Sequence, residues 1–334
     1  MRVVVLGATG NVGTSLLSVL AADPEVESVL GLARRLPQLQ MPKVEWAAAD
    51  IARDELVPHF RGADAVVHLA WAIQPSRDLD TLWWINVHGS ERAFRAVAEA
   101  GVPALVYASS VGAYSPGPKD RFIDERWPTN GVRTSFYARH KAEVERRLDR
   151  FEQEHPEVRS VRLRPALIFK RESAEEQRRL FAGRLFPHAL ARPSLLRFVP
   201  EIPGLRFQAV HSADVGEAYA LAVKGDVRGA FNVAADPVLD PAGLARLLGA
   251  RTVRVPGSLA RAAAWLSWRL HLQPSPEGWL DVALAVPLLD ASRARTELGW
   301  EPRHGADDTF LELLAGIREG ARLPTPPLSV GAPR

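Results

Sequence analysis

The 334-residue chain contains no cysteine. Disulfide bonds, thiol nucleophiles and cysteine metal ligands are therefore excluded. The chain also lacks any uninterrupted apolar run that approaches the roughly 18 residues of a membrane span. Its formal net charge is only +3 and its arginines are scattered, so the composition does not favour nucleic-acid binding.

Other signals are missing as well. An apolar strand is predicted from residue 2, with no basic and apolar leader ahead of it. We therefore expect no secretory signal, no membrane association and a cytoplasmic protein. The histidines lie far apart without the spacing of metal ligands, so no metal site is predicted.

The first 165 residues alternate short apolar strands with helical segments. Strands are predicted at 2–6, 28–33, 43–47, 64–69, 104–108 and 159–164, and helices at 11–22, 52–60, 79–100 and 135–153. This alternation predicts an α/β fold in which a doubly wound parallel sheet, a Rossmann fold, carries helices on both faces. Ligands bind such sheets beyond the carboxyl ends of the strands.

The pattern changes after residue 165, where prolines divide the chain into short pieces. For residues 166–323 we expect a smaller, mainly helical cap that binds the substrate and returns some segments to the sheet. Its predicted strands are 207–211 and 229–234, and its predicted helices lie near 212–224, 240–248, 257–271 and 305–320. Residues 324–334 contain four prolines, so an extended or mobile tail is expected.

Three glycines connect the first strand to the first helix, at positions 7, 10 and 13. Glycines in this context allow a tight turn, close approach of the backbone to a pyrophosphate, and close helix–strand packing. The amide groups at the helix N-terminus would then face the phosphates. The motif predicts a dinucleotide site, although three glycines also occur in a plain strand–helix connection.

The end of the second strand bears on the choice of dinucleotide. Arg34 and Arg35 follow Ala33 there, with no carboxylate to hold a ribose 2′-hydroxyl. Arginine suits bidentate contacts to a 2′-phosphate, so NADP is favoured and NAD is the alternative. Both arginines are otherwise solvated loop residues. Asp50 either accepts a hydrogen bond from the adenine amino group or caps the following helix.

A serine pair and a tyrosine–lysine pair are the candidate catalytic residues. Tyr137 and Lys141 lie four residues apart, so a helix presents both on one face. A nearby ammonium lowers the pKa of a phenol, which would allow proton exchange with an alcohol or carbonyl. Ser109 and Ser110 follow the fifth strand. We assign Ser110 to hold the substrate oxygen and Ser109 to line the pocket, and together these residues predict hydride transfer.

On these motifs the chain resembles the extended short-chain dehydrogenase/reductase superfamily, in particular the NAD(P)-dependent epimerase/dehydratase family. The resemblance rests on short motifs in order along nearly the whole chain, at 7–13, 66–70, 86–89, 106–110, 137–141, 163–165, 210–215, 231–234 and 297–302. It implies that Tyr137 is the acid or base, that Ser110 orients the substrate, and that Lys141 holds the nicotinamide ribose. It also implies that Asn86 orders the active site and that Asp214 has a structural role.

Motifs and resemblance together define the predicted site. The cofactor-binding residues are Gly7, Thr9, Gly10, Asn11, Val12, Arg34, Arg35, Asp50, Ile51, Leu69, Ala70, Asn86, Tyr137, Lys141 and Pro165. The substrate-binding residues are Trp71, Ser109, Ser110 and Tyr137. Phe94 and Val97, with neighbouring alanines, form an apolar stripe on the helix at 79–100, which is either plain core or a homodimer surface.

Two departures from the family pattern narrow the function. Residues 164–170 lack the asparagine with which many nucleotide-sugar epimerases hold a sugar diphosphate, and Val111–Gly112 does not match the acidic pair of dehydratases. We therefore predict an NAD(P)-dependent oxidoreductase that acts on a carbinol or carbonyl carbon of a small molecule. The alternatives are a nucleotide-sugar epimerase that retains its cofactor and a regulatory protein that senses NADP(H) without turnover.

Overall fold

The computed structural model describes residues 1–73, 76–182 and 195–329. The strands are β1 (Arg2–Leu6), β2 (Ser28–Ala33), β3 (Val44–Ala48), β4 (Ala65–His68), β5 (Ala104–Ala108), β6 (Phe122–Ile123), β7 (Arg159–Pro165), β8 (Leu167–Phe169), β9 (Phe198–Glu201), β10 (Ala209–His211), β11 (Gly229–Val233), β12 (Arg251–Arg254) and β13 (Leu288–Leu289). The helices are α1 (Asn11–Ala22), α2 (Val57–Phe60), α3 (Leu79–Trp83), α4 (Gly89–Glu99), α5 (Phe136–Glu154), α6 (Ala174–Gln177), α7 (Ser212–Lys224), α8 (Pro241–Leu248), α9 (Gly257–Arg269), α10 (Gly278–Ala285), α11 (Ser292–Thr296) and α12 (Ala306–Glu319).

A seven-stranded parallel sheet forms the centre, in the order β11-β7-β5-β4-β1-β2-β3. The central strands β1, β4 and β5 are largely apolar because helices cover both faces of the sheet; in β1, Val3–Val5 are fully buried. The strand order reverses between β1 and β4, so a ligand crevice is expected at the carboxyl ends of these two strands. The predicted α/β class and doubly wound parallel sheet are confirmed.

Two predicted helices differ from the observed ones. The helix at 52–60 is reduced to α2, which begins at Val57 with Pro58 in its first turn. Proline has no amide hydrogen and suits the first turn of a helix, so it marks the helix start. The helix at 79–100 contains a π-helical segment, Trp84–His88, between α3 and α4.

Two segments after residue 165, β11 and α7, belong to the sheet layer. β11 pairs with β7 at the sheet edge, with Phe231 opposite Leu163. Helix α7 packs along α1, where a β-carbon at Gly216 would lie 3.0 Å from the Leu16 nitrogen. The remaining segments form the smaller region around the two-stranded pair β9–β12 and helices α8, α9 and α10. Residues 183–194, in the predicted cap, lie outside the described residues.

Two expectations about surfaces are corrected. The described part of the proline-rich tail is packed rather than extended: Thr325 and Leu328 are fully buried, and the Arg179 guanidinium donates to the Pro327 carbonyl at 2.5 Å. The last residues, 330–334, lie outside the described part. The apolar stripe on α4 faces the chain's own core, with Phe94 and Val97 buried, so it provides no argument for a dimer. Within the described ranges, no helix is long and apolar enough to cross a membrane.

Candidate active site

The glycine turn brings three loops together at the carboxyl edge of the sheet. Gly7 has a φ of +78°, which favours glycine, and its amide donates to the Leu32 carbonyl at the end of β2 at 2.9 Å. A β-carbon at Gly7 would lie 2.6 Å from the Ala70 nitrogen. A β-carbon at Gly13 would lie 2.5 Å from the Gly7 carbonyl oxygen. Only glycine therefore allows the turn, the end of β2 and the Leu69–Ala70 loop to meet.

The N-terminus of α1 fits the diphosphate of a dinucleotide. Gly10 is its N-cap and supplies no side-chain hydrogen bond to the first turn. The amides of that turn and the partial positive charge of the helix are thus available to an anion. Thr9, Asn11 and Val12, all predicted to bind the cofactor, lie on this turn, and Thr9 is buried. The Asn11 side chain donates to the Ile168 carbonyl at 3.2 Å.

Four residues of the predicted cofactor site lie away from the glycine turn, and they are either exposed to solvent or engaged in contacts within the protein. Arg34 and Arg35 are exposed just after β2, and neither forms an ion pair within the part of the chain described. The Asp50 carboxylate accepts from the Ala52 amide at 2.9 Å within a turn. It does not cap a helix, because α2 begins only at Val57. Ile51 is buried, and its side chain lies 2.9 Å from the position of a β-carbon at Gly89.

Asn86 orders the loop that follows β4. Its side-chain oxygen accepts from the Ala72 amide at 2.7 Å, and its amide group donates to the Ala72 carbonyl at 3.0 Å. The Asn86 side chain thus pairs with both backbone groups of Ala72, as a neighbouring strand would. The pairing is possible in only one orientation of the side-chain amide. The residue lies in the π-helical segment, a distortion that often occurs at functional sites. The loop so fixed carries Trp71.

Tyr137 and Ser110 form the centre of the candidate site. The Ser110 hydroxyl accepts from the Gly112 amide at 3.0 Å. A β-carbon at Gly112 would lie 2.7 Å from Tyr137 Cε1 and 3.4 Å from Ser110 Oγ, so the missing side chain lets the phenol ring and the serine hydroxyl approach the same point. Burial raises the pKa of Tyr137 to about 12, and the neighbouring Ser110 hydroxyl opposes this.

Lys141 does not lower the pKa of Tyr137 in the expected manner. Its ammonium donates to the Ala108 carbonyl at 2.6 Å and lies 3.6 Å from the centre of a Trp71 ring. Burial lowers the pKa of Lys141 to about 7, although the negative charge of Glu145 opposes this. The ammonium is therefore only partly charged at neutral pH. The predicted depression of the Tyr137 pKa is corrected, because burial dominates at both residues.

Two tryptophans enclose the Tyr137 ring. The Trp71 ring centre lies 6.1 Å from it in an edge-on arrangement, and the Trp279 ring centre lies 4.9 Å away, tilted by 31°. Trp71 Nε1 is buried without a hydrogen-bond partner among the described residues. Trp279, on α10, reaches this site because a β-carbon at the preceding Gly278 would lie 2.7 Å from the Thr134 carbonyl oxygen. No sequence motif pointed to Trp279, which lies far along the chain from Tyr137.

Ser109 belongs to a buried ionic network rather than to the pocket. Its hydroxyl donates to Glu145, which also accepts from Arg162 at 2.9 Å and from Arg164 at 2.7 Å. Burial opposes ionisation of Glu145, but the two arginines outweigh it and lower the pKa of the carboxyl to about 2. The assignment of Ser109 to a substrate pocket is corrected, since its hydroxyl is directed to a carboxylate that anchors α5 on β7.

A second buried lysine, Lys170, was not predicted from the sequence and joins the later part of the chain to α1. Lys170 Nζ donates to the Asn11 carbonyl at 2.9 Å, to Thr14 Oγ1 at 2.7 Å and to Ser15 Oγ at 3.0 Å.

Pro165 is buried at the end of β7, opposite Val233. Asp214 accepts from the backbone and side chain of His304, which fits its expected structural role. Among the described residues, no three acidic or histidine side chains are grouped to hold a metal ion.

Comparisons with known proteins agree with this architecture. An uncharacterized protein of Mycobacterium bovis is 26% identical over 323 residues, which is 95% of this chain but 30% of the relative. The chain thus spans 30% of the length of the curated relatives that it first matches.

Two solved structures share the fold at low identity. The dTDP-glucose 4,6-dehydratase DesIV from Streptomyces venezuelae, solved with NAD, has a TM-score of 0.71 at 20% identity and covers 98% of this chain and 100% of its own. The UDP-glucose 4-epimerase of Thermus thermophilus, in complex with NAD, has a TM-score of 0.68 at 22% identity and covers 95% of this chain and 99% of its own.

The family model that matches is described as the NAD dependent epimerase/dehydratase family, and the match runs over residues 3–234. It includes the glycine turn, the strand that ends in the serine pair, and the tyrosine–lysine helix. It also reaches β11, the last strand to join the sheet. By this match over most of its length, the chain belongs to the NAD dependent epimerase/dehydratase family.

Proposed function

We propose that this chain is an NAD(P)-dependent oxidoreductase acting on a carbinol or carbonyl carbon of a small molecule. The observation that carries the proposal is that Ser110 and Tyr137 meet at Gly112, after β5 and on the same sheet edge as the glycine turn: a β-carbon at Gly112 would lie 2.7 Å from Tyr137 Cε1 and 3.4 Å from Ser110 Oγ. The phenol ring has a serine hydroxyl near it and two aromatic walls. That environment suits a group that exchanges its proton with a substrate oxygen.

The nicotinamide ring of the cofactor would donate or accept the hydride when bound. The turn at residues 7–13 and the N-terminal amides of α1 would hold its diphosphate. In the reducing direction, the Tyr137 phenol gives its proton to the substrate oxygen as the carbonyl becomes an alcohol. Ser110, which lies near the phenol at Gly112, would orient the same oxygen. In the oxidising direction, Tyr137 removes the proton from the alcohol.

Lys141 would stabilise the tyrosinate that remains after proton donation. It lies one helical turn from Tyr137, and its pKa is held at about 7 by burial. A negative charge at Tyr137 favours the protonated form of a neighbouring amine. Proton loss from the phenol and proton uptake by the amine are therefore coupled, so the two pKa values should shift together during turnover.

For the cofactor we propose NADP, with NAD as the second candidate. The support is the exposed pair Arg34–Arg35 at the end of β2, beside the Gly7 turn, and the absence of a carboxylate at Ala33. A 2′-phosphate would receive charge-assisted hydrogen bonds there. The two solved structures named above contain NAD, so the arginines are the feature on which this choice depends.

Changing Tyr137 to Phe tests the mechanism. Oxidation of NADPH by a panel of aldehydes and ketones should fall by about 10²–10⁴-fold, because the acid is lost. Binding of NADPH, followed by fluorescence quenching, should stay within about three-fold of the parent, a difference below about 1 kcal/mol. Tyr107→Phe is the matched control, since the buried Tyr107 hydroxyl has no hydrogen-bond partner among the described residues. Full turnover by Tyr137→Phe would refute the assigned role.

The purified parent protein also distinguishes the proposed oxidoreductase from the second candidate function, an epimerase that retains its cofactor. We retain this candidate because the chain belongs to the NAD dependent epimerase/dehydratase family. After denaturation, mass spectrometry should find no stoichiometric nucleotide if the cofactor is a cosubstrate. One nucleotide per chain, together with no net oxidation of added NADPH, would favour the epimerase instead.

A further inference from the structure

Helix α9 carries an apolar face toward solvent. Its outward positions are Leu259, Ala262, Ala263, Leu266 and Leu270, a spacing that places them on one side of a helix. Leu259 is 61% exposed, Leu266 50% and Leu270 58%, and no residue of α9 is buried. We call these five residues the α9 leucine face. The apolar side of a surface helix usually faces the core of the protein, whereas here it faces solvent. An exposed apolar patch of this kind is typical of an interaction site.

The opposite side of α9 is held against the protein. The Arg77 guanidinium donates to the Trp268 carbonyl at 2.7 Å and lies 4.4 Å from the centre of a Trp268 ring. On the adjoining side, Arg261 forms an ion pair with Asp281 of α10, with N and O atoms 3.0 Å apart. These contacts fix the rotation of the helix, so the leucine face stays directed outward.

The rim of the leucine face is basic and aromatic. Trp265, which is 45% exposed, lies beside it. Arg269 on the last turn and Arg251 on β12, just before the helix, are exposed and form no ion pair within the described ranges. Arg254 has only a loose contact with Glu201, 3.8 Å between N and O. Arg251, Arg254 and Arg269 thus add positive charge to this part of the chain, where Glu201 and Asp281 are already engaged by arginines.

We propose that the α9 leucine face binds an anionic lipid surface. Leucines on one side, a tryptophan at the edge and arginines around it are the composition of helices that lie in a membrane interface. The leucines would enter the acyl boundary, Trp265 the headgroup level, and the arginines would contact lipid phosphates. The 13-residue helix lies in the plane of the surface and does not cross it.

The same charges disfavour a second copy of this chain as the occupant. A two-fold interface brings the same patch of both subunits together, so two patches with the same sign of charge would meet. Like charges at an interface are repulsive, whereas a layer of lipid phosphates is complementary. This inference goes beyond the proposed oxidoreductase function and does not depend on it.

Sedimentation of the full chain with lipid vesicles tests the proposal. Vesicles of phosphatidylglycerol and phosphatidylcholine in equal parts should bind the protein, and vesicles of phosphatidylcholine alone should bind it at least about ten-fold more weakly. The variant L266E/L270E should lose about ten-fold or more in affinity for the mixed vesicles, because two charges replace the inserted side chains. R251Q/R269Q should also weaken binding by up to about thirty-fold, since each of the two arginines near the surface contributes about 1 kcal/mol.

Leu36→Glu is the matched control. Leu36 is 55% exposed, follows β2 and lies far along the chain from α9, so its substitution should leave vesicle binding within about two-fold. Unchanged thermal unfolding of all variants would exclude misfolding as the cause. Absence of binding to mixed vesicles would overturn the proposal, as would equal binding by L266E/L270E. A dimer of the parent chain that this variant abolishes, without vesicle binding, would assign the face to a second copy instead.

Discussion

Lys141 has the clearest energetic consequence among the single residues of the site. Its pKa is lowered from 10.5 in the open chain to about 7 by burial. Between these two pH values the unfolded chain binds more protons than the folded one, so this residue makes stability rise with pH across that window. Below about pH 7 the ammonium is charged in both states and its full burial cost remains.

Replacing Lys141 with Met should remove this pH dependence. In urea unfolding, the free energy of unfolding of the parent should gain about 2 kcal/mol from pH 7 to about pH 9 relative to the variant. The comparison between the two proteins cancels the other titrating groups. Parallel pH profiles of parent and variant would show that Lys141 is not buried as an uncharged amine.

At this scale the sequence predicted the two residues at the centre of the proposed site but not the side chains around them. Ser110 and Tyr137 were predicted from a strand end and a helix spacing, and both lie close to Gly112. Trp279 was missed, because its approach depends on the close contact of Gly278 with Thr134. Ser109 was misassigned, since the position of its Glu145 partner depends on how α5 packs on β7.

The position of helix α5 on the sheet depends on one buried carboxylate. Glu145 receives hydrogen bonds from Ser109, Arg162 and Arg164, and it is almost completely buried. Removing one partner from a buried ion pair leaves uncompensated charge. Glu145 therefore links the strand that ends in Ser110 to the helix that begins just before Tyr137.

Changing Glu145 to Gln should lower the free energy of unfolding by about 3 kcal/mol. Arg162 retains Asp149 as a partner at 2.6 Å, which limits the loss. Glu143→Gln, two residues away on the same helix, breaks pairs with Arg146 and Arg147 nearer the surface and should cost less than about 1 kcal/mol. Urea unfolding of both variants measures the difference, and equal losses would mean that the buried network does not anchor α5.

At the scale of elements, local signals gave good helix and strand boundaries where the pattern was long. β1, β2 and α1 occur at the predicted residues. The prediction at 52–60 was too long, because Pro58 belongs to the first turn of α2 and the residues before it form a turn around Asp50. The π segment at Trp84–His88 was not predicted, since its irregular hydrogen bonding accompanies the contact of Asn86 with Ala72.

At the scale of the molecule, residues 1–165 are not sufficient for a complete sheet layer. β11 covers the edge of β7, and α7 covers α1, where Ser212 Oγ lies 2.9 Å from Ser15 Oγ. The buried Lys170 adds three hydrogen bonds to the first turns of α1. A cut after residue 165 would expose an open strand edge and an apolar helix face.

A fragment of residues 1–165 should therefore fail to unfold cooperatively. We expect it to bind the dye ANS and to show no sharp transition in circular dichroism on heating, whereas the full chain should show one. The full chain under the same conditions is the control. A soluble fragment with a cooperative transition would establish residues 1–165 as an independent folding unit.

The sequence by itself determined the fold class, the glycine turn and the tyrosine–serine centre, because each depends on spacing within a short segment or on the order of segments. The tertiary structure decided which side chains meet across long separations. Trp279 lies against Tyr137, Glu145 takes the hydroxyl of Ser109, and Lys170 holds α1. Packing also buried Lys141 and turned the leucines of α9 outward. The free energy of such contacts depends on the whole fold, and no local pattern in the chain encodes it.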